Sequence, residues 1–254
     1  MHKYFSLFLL FLLVISCKNE SKLNVDVSNI PVDFKVNRFD IDFYNSPESS
    51  LTPIKQKYPN LFPANVPDSV WLNKRTNKDE QELFAEVQKL YSNINDLKAE
   101  LTSLFKHITY YYPKFKSPNV TTVLSNVDYD FRVIYTKVML LISLDVYLGA
   151  NHPFYTDFPN YIKQNYHKKH IVVDVANAII DKQMPPNSER VFINKMIYEG
   201  KRMYLLDAYL PTVSDSEKIG YKPEKLNWTQ ANESQIWKYF IEKESKILFS
   251  ENII

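Results

Sequence analysis

From His170 to Pro211 the apolar positions form two helical stripes. Val172, Ala176 and Ile179 lie on one side of the first, with Val173, Asn177, Ile180 and Asp181 beside them. Pro185-Pro186 stops that helix, because proline lacks the N–H donor and its ring clashes with a continuing turn. Asn187 or Ser188 then supplies a side-chain oxygen to cap the second helix. In it Phe192, Met196, Glu199, Met203, Leu206 and Leu210 recur at alternating steps of four and three, the spacing of a core-facing stripe. Glu199 stands inside that stripe, where a carboxylate needs a partner, a metal or a proton. Gly200 beside it admits the close approach of another backbone. The proline turn makes the helices antiparallel neighbours, so Glu199 is expected to be buried against Asn177 and Asp181, with Asn177 donating an amide hydrogen. An exposed glutamate beside Lys195 and Arg202 is the alternative.

Elsewhere the pattern changes period. Residues 33–44 alternate, with Phe34, Val36, Phe39, Ile41 and Phe43 against polar neighbours and one slip at Arg38, which predicts a half-buried strand. Five prolines between 45 and 75 predict a connector. Asn77 reads as an N-cap with Glu80 three residues on, and Leu83, Val87, Leu90, Ile94, Leu97, Leu101, Leu104 and Ile108 predict one long amphipathic helix. Strands are expected over 120–127, 131–137 and 138–148, and a last helix from about Thr229 to Leu248. Strands first and helices afterwards is an α+β order: a small, mainly antiparallel sheet with a segregated, predominantly helical C-terminal half.

Composition narrows the class. The chain has 254 residues, 45% hydrophobic and 24% charged, which suits one domain with a sizeable core. With 31 basic and 29 acidic side chains dispersed along it, no basic excess points to nucleic acid. Three glycines exclude a glycine-rich phosphate cradle, and neither GxSxG nor CxxC occurs.

Residues 1–16 differ from the rest: His2 and Lys3 precede an apolar run too short to span a bilayer, the form of a secretory signal. Val14-Ile15-Ser16-Cys17 fits a lipobox, and Cys17 is the only cysteine. Residues 1–16 are therefore read as a lipoprotein signal peptide, Cys17 as the acylated (palmitate-type) mature N-terminus, 17–30 as a polar tether and 31–254 as one domain. The anchor expected is a membrane of the cell envelope, inner or outer being undetermined.

The segregated order resembles a zincin domain. There H-E-x-x-H places two zinc-binding histidines one turn apart on a helix around a glutamate base, and a later glutamate completes the ligands. Set against that motif, Asn177 and Asp181 stand where the histidines would be, Ala178 where the base would be, and Glu199 as the third ligand. Amide, methyl and one carboxylate cannot hold and activate zinc, so these positions read as vestigial, with no catalytic residue, metal or cofactor expected.

Several ordered blocks are more specific: Leu148-Gly149-Ala150-Asn151-His152-Pro153-Phe154-Tyr155 with Phe158-Pro159-Asn160-Tyr161-Ile162; Met196-Ile197-Tyr198-Glu199-Gly200-Lys201 with Leu210-Pro211; and Lys218-Ile219-Gly220-Tyr221, Trp228, Ile236-Trp237 and Leu248-Phe249-Ser250. With the lipobox they resemble the gliding-motility lipoprotein GldB family of Bacteroidota. That resemblance implies a non-enzymatic envelope lipoprotein needed for gliding, working with other proteins of the gliding machinery. Family members usually continue past the Leu248-Phe249-Ser250 block, so the chain is expected to be truncated at its C-terminus. Two other functions remain: a divergent metallohydrolase or peptidase using Glu199, and a ligand-binding envelope lipoprotein unrelated to motility. His152, before a proline, is expected to shape a turn.

Overall fold

The computed structural model describes residues 23, 25–186 and 191–250, the side chains of residues 48 and 244–250 excepted. The signal peptide, Cys17, Asn187 and Ser188 lie outside the described residues; the helix that Asn187 or Ser188 was expected to cap begins only at Phe192, with Val191 at its N-cap and no side-chain cap, so that expectation is corrected. Within the expected tether, the Ser28 carbonyl accepts from Lys106 Nζ at 2.8 Å.

The order is β1 (Val36–Arg38), α1 (Phe39–Tyr44), α2 (Leu51–Lys57), α3 (Asp68–Thr76), α4 (Lys78–Tyr91), α5 (Asn95–Tyr111), β2 (Asn119–Val123), β3 (Val133–Tyr135), β4 (Met139–Ser143), α6 (Asn160–Lys163), α7 (Ile171–Gln183), α8 (Phe192–Tyr209), α9 (Asp215–Ile219), α10 (Pro223–Ala231) and α11 (Glu233–Ser250). The class is α+β, with a four-stranded sheet ordered β1-β2-β4-β3.

The expected antiparallel sheet is corrected to a mixed one. β1 with β2 and β2 with β4 are parallel, and only the β3–β4 edge is antiparallel. A parallel pair needs a long crossover, and α1 to α5 supply it between β1 and β2. A tight turn joins β3 to β4, with Met139 N donating to Thr136 Oγ1 at 3.0 Å. Val120 pairs with Leu140 and Thr122 with Ile142, so these four fully buried side chains share one face of the sheet.

The strand expected over 33–44 ends at the slip. Arg38 closes β1, and Phe39 and Phe43, four apart, stack at 5.2 Å on α1. Asp40, fully buried, accepts from Arg38 Nε at 3.0 Å and Nη2 at 2.6 Å and from Thr122 Oγ1 at 2.5 Å, fixing this corner to β2. Two prolines of 45–75 mark α-helix starts, where a missing N–H costs little: Pro53 lies in the first turn of α2 and Pro67 at the N-cap of α3.

The single long helix is two. Asn77 caps α4 as expected, accepting from Asp79 N at 2.9 Å and Glu80 N at 3.1 Å. Glu80 reaches Tyr44 Oη at 2.5 Å and Lys74 instead of closing a capping box. At Ser92-Asn93-Ile94 the chain breaks and the phase shifts: Leu90 is exposed while Tyr91 is fully buried. The last helix likewise divides at Asn232 into α10 and α11.

The core centres on α7, which packs against β3, α5 and α8. Its first turns are buried all round, from Ile171 to Ala176, and Ile179 and Ile180 extend that surface.

Candidate functional site

Asp174 is the polar exception in that buried stretch. Its Oδ2 accepts from Tyr147 Oη at 2.7 Å and lies 2.9 Å from Arg132 Nε. Tyr147 follows β4 and Arg132 precedes β3, so three elements meet at one carboxylate. Burial, with the Asp174 charge beside it, holds the Tyr147 phenol protonated well above its ordinary range.

The other Asp174 oxygen faces His170, one turn earlier, whose Nε2 is 3.7 Å from Oδ1. The opposite nitrogen of that ring, Nδ1, is 2.8 Å from Glu217 Oε1, and His167 Nε2 is 3.5 Å from the same oxygen. One ligand atom from each of His167, His170 and Glu217 falls within 4.8 Å of the others, the one such grouping among the described residues. A 3-10 turn over Lys168–His170 brings the rings together, because residues three apart eclipse at three residues per turn.

Glu217 arrives from α9, which is built to stop quickly. Ser214 Oγ caps it, accepting from Glu217 N at 3.3 Å. Gly220 closes it at φ 71, and a Cβ there would meet Asn165 Nδ2 at 2.4 Å. Lys218 Nζ, 2.7 Å from Asp207 Oδ1, ties α9 to α8. Burial holds the His167 pKa down, favouring the neutral ring. Burial is the largest influence on Glu217 and acts to raise its pKa, but the His170 hydrogen bond and the neighbouring His167, His170 and Lys169 charges together outweigh it, and the net shift is downward.

The positions singled out in sequence lie on the far side of Asp174. Asn177, Ala178 and Asp181 line a cleft of about 430 Å³ with Asp174, Arg132 and Arg202. Arg202 occupies the centre of this group: Nη2 lies 2.9 Å from Asp181 Oδ1 and 3.3 Å from Asn177 Oδ1, and Nη1 lies 3.3 Å from Glu199 Oε2. Asn177, Asp181 and Glu199 therefore converge as expected, but on a guanidinium. The burial of Glu199 is corrected: its side chain is 60% exposed, and no Asn177–Glu199 hydrogen bond forms among the described contacts. The α8 stripe is fully buried only from Leu206 onward. Before that the carboxylate stays in water beside Arg202, which costs less than desolvating it. Gly200 faces open space and receives no neighbouring backbone.

His152 shapes a turn as expected, its Nδ1 accepting from Phe154 N at 3.3 Å. Asp145 was not foreseen. Fully buried after β4, it accepts from Ser125 N at 3.1 Å and Val127 N at 2.7 Å, fastening a loop in which Asn126 and Val127 both take φ near +60°. That conformation is strained for a β-branched residue. Burial raises the Asp145 pKa from 3.8 to about 6, although the backbone hydrogen bonds oppose the shift.

Residues 20–253 match the family described as gliding motility protein GldB. The chain belongs to the GldB family. No curated protein and no solved structure matches it. Gln164, two residues past the first block that carried the GldB resemblance, donates through Nε2 to the Gly220 carbonyl of the third at 2.8 Å. Among the described residues no helix is long and apolar enough to cross a membrane.

Sequence reasoning passed over Arg132, Tyr147, Asp174 and Glu217, and it set His167 and His170 aside as standing before the helix at the wrong spacing for H-E-x-x-H. A signal was present in part: His167 and His170 are three apart, and Asp174 follows one turn later. The arrival of Glu217, 47 residues beyond His170, was not readable from spacing.

Proposed function

We propose that this chain is an envelope lipoprotein of the gliding machinery, anchored through lipid on Cys17 and acting by binding other components rather than by catalysis. The observation that carries this reading is the GldB-family match over residues 20–253. The lipobox at Cys17 supports the anchor. The chemistry of the α7 cleft supports a non-catalytic role: Ala178 offers no proton-transferring group, and Asp181 and Glu199 are both already engaged by the Arg202 guanidinium.

The test is Cys17→Ser expressed in cells lacking the wild-type chain. The variant should leave the membrane fraction and fail to restore spreading. A variant that stays with membranes, or one that is released yet restores spreading fully, would count against the anchored reading.

A further inference from the structure

We propose that His167, His170 and Glu217 form a binding site for one divalent first-row transition-metal ion of the zinc type, which ties α9 to the turn that opens α7. The donor set is two imidazoles and one carboxylate. Imidazole favours zinc, nickel or copper over calcium and magnesium, which prefer all-oxygen shells.

The distances fit. In a tetrahedral site with bonds of about 2.0–2.1 Å, ligand atoms stand roughly 3.3 Å apart. Here Glu217 Oε1 is 2.8 Å from His170 Nδ1 and 3.5 Å from His167 Nε2, with all three atoms inside 4.8 Å.

A carboxylate lies on the far side of His170. A metal-bound histidine ordinarily directs its other nitrogen at a carboxylate, which fixes the tautomer and the ring plane. His170 turns Nε2 toward Asp174 Oδ1 at 3.7 Å, and Asp174 is itself held by Tyr147 Oη and Arg132 Nε. His170 and Asp174 are both over nine-tenths buried, so this support is rigid. Glu217 also borders a cleft of about 450 Å³ beside Ser214 and Lys169. Three protein donors leave one tetrahedral position for solvent or a further ligand.

The competing account is a plain His170–Glu217 hydrogen bond, with the Lys169 ammonium nearby opposing a second cation. His167 separates the two, since at 3.5 Å it contributes little to that bond.

The experiment uses the full chain in detergent, stripped with chelator and titrated with zinc chloride by calorimetry, with thermal melts alongside and cobalt(II) as a spectroscopic probe. The wild type should bind one zinc per chain, melt at a higher temperature with zinc, and show the visible absorption of a tetrahedral cobalt site. His167→Ala and Glu217→Gln should each weaken zinc by at least about tenfold, with His167→Ala melting like the wild type in the absence of metal. His152→Ala, outside the cluster, should bind zinc like the wild type. No saturable binding by the wild type, undiminished binding by His167→Ala, or an equal loss in His152→Ala would overturn the proposal. If Glu217→Gln fails to fold, His167→Ala decides alone. The readout is metal binding, so its failure leaves the motility reading untouched, and the reverse.

Discussion

Arg132 Nε lies 2.9 Å from Asp174 Oδ2, joining the strand segment before β3 to the most buried helix of the domain. The pair is asymmetric: the Asp174 side chain is 7% exposed and that of Arg132 38%. Removing the cation leaves a buried carboxylate with Tyr147 and His170 as its remaining neighbours.

Arg132→Met should therefore destabilise the fold by about 1–3 kcal/mol, below the cost of breaking a fully buried pair because water partly screens the guanidinium. The double variant Arg132→Met with Asp174→Asn should recover part of that loss, since no unpaired charge remains. Urea melts check both. A double variant weaker by the full sum of the single losses would mean that the two residues are not coupled.

Glu199 is exposed and Arg202 is shared. Glu199→Ala and Glu199→Gln should each change stability by less than about 0.5 kcal/mol. Arg202→Ala, which releases Asn177, Asp181 and Glu199 together, should cost more, roughly 0.5–1.5 kcal/mol, partly through lost packing of its stem. A larger loss from Glu199→Ala than from Arg202→Ala would contradict the arrangement.

Asp145 gives stability a definite pH sign. Its carboxyl binds a proton more tightly folded than unfolded, because burial raises its pKa from 3.8 to about 6. Its contribution is thus most favourable below the lower value and declines as pH rises to the upper one. Across that window the wild type should lose on the order of 3 kcal/mol relative to Asp145→Asn, at about 1.4 kcal/mol per unit. Denaturant melts at several pH values read the difference. Parallel stability profiles for the two proteins would show that Asp145 does not titrate in this way.

What the sequence disclosed follows from how local each feature is. The α7–α8 pair, the Asn77 cap and the strand positions of 119–143 depend on periodicity, cap chemistry and β-branched runs, and all are legible. The break between α4 and α5 was hidden because Tyr91 takes over the stripe from Leu90 across Ser92-Asn93, so the apolar rhythm continues through a gap in the helix. Sheet polarity was hidden because β2 passes over β3 to pair with β4, a tertiary choice that adjacent short strands do not announce. At the site, the convergence of Asn177, Asp181 and Glu199 was readable from the proline turn. Arg202 as their common partner was readable only as a helix neighbour of Glu199. The His167–His170–Glu217 grouping depends on the placement of α9, which no spacing rule reaches.

The central claim is that this chain serves gliding. The most direct measurement is the movement of single cells on a surface in a strain lacking it, with and without the wild-type chain restored. Deletion should abolish directed movement and restoration should return it. Deleted cells that glide at the parental speed would contradict the account.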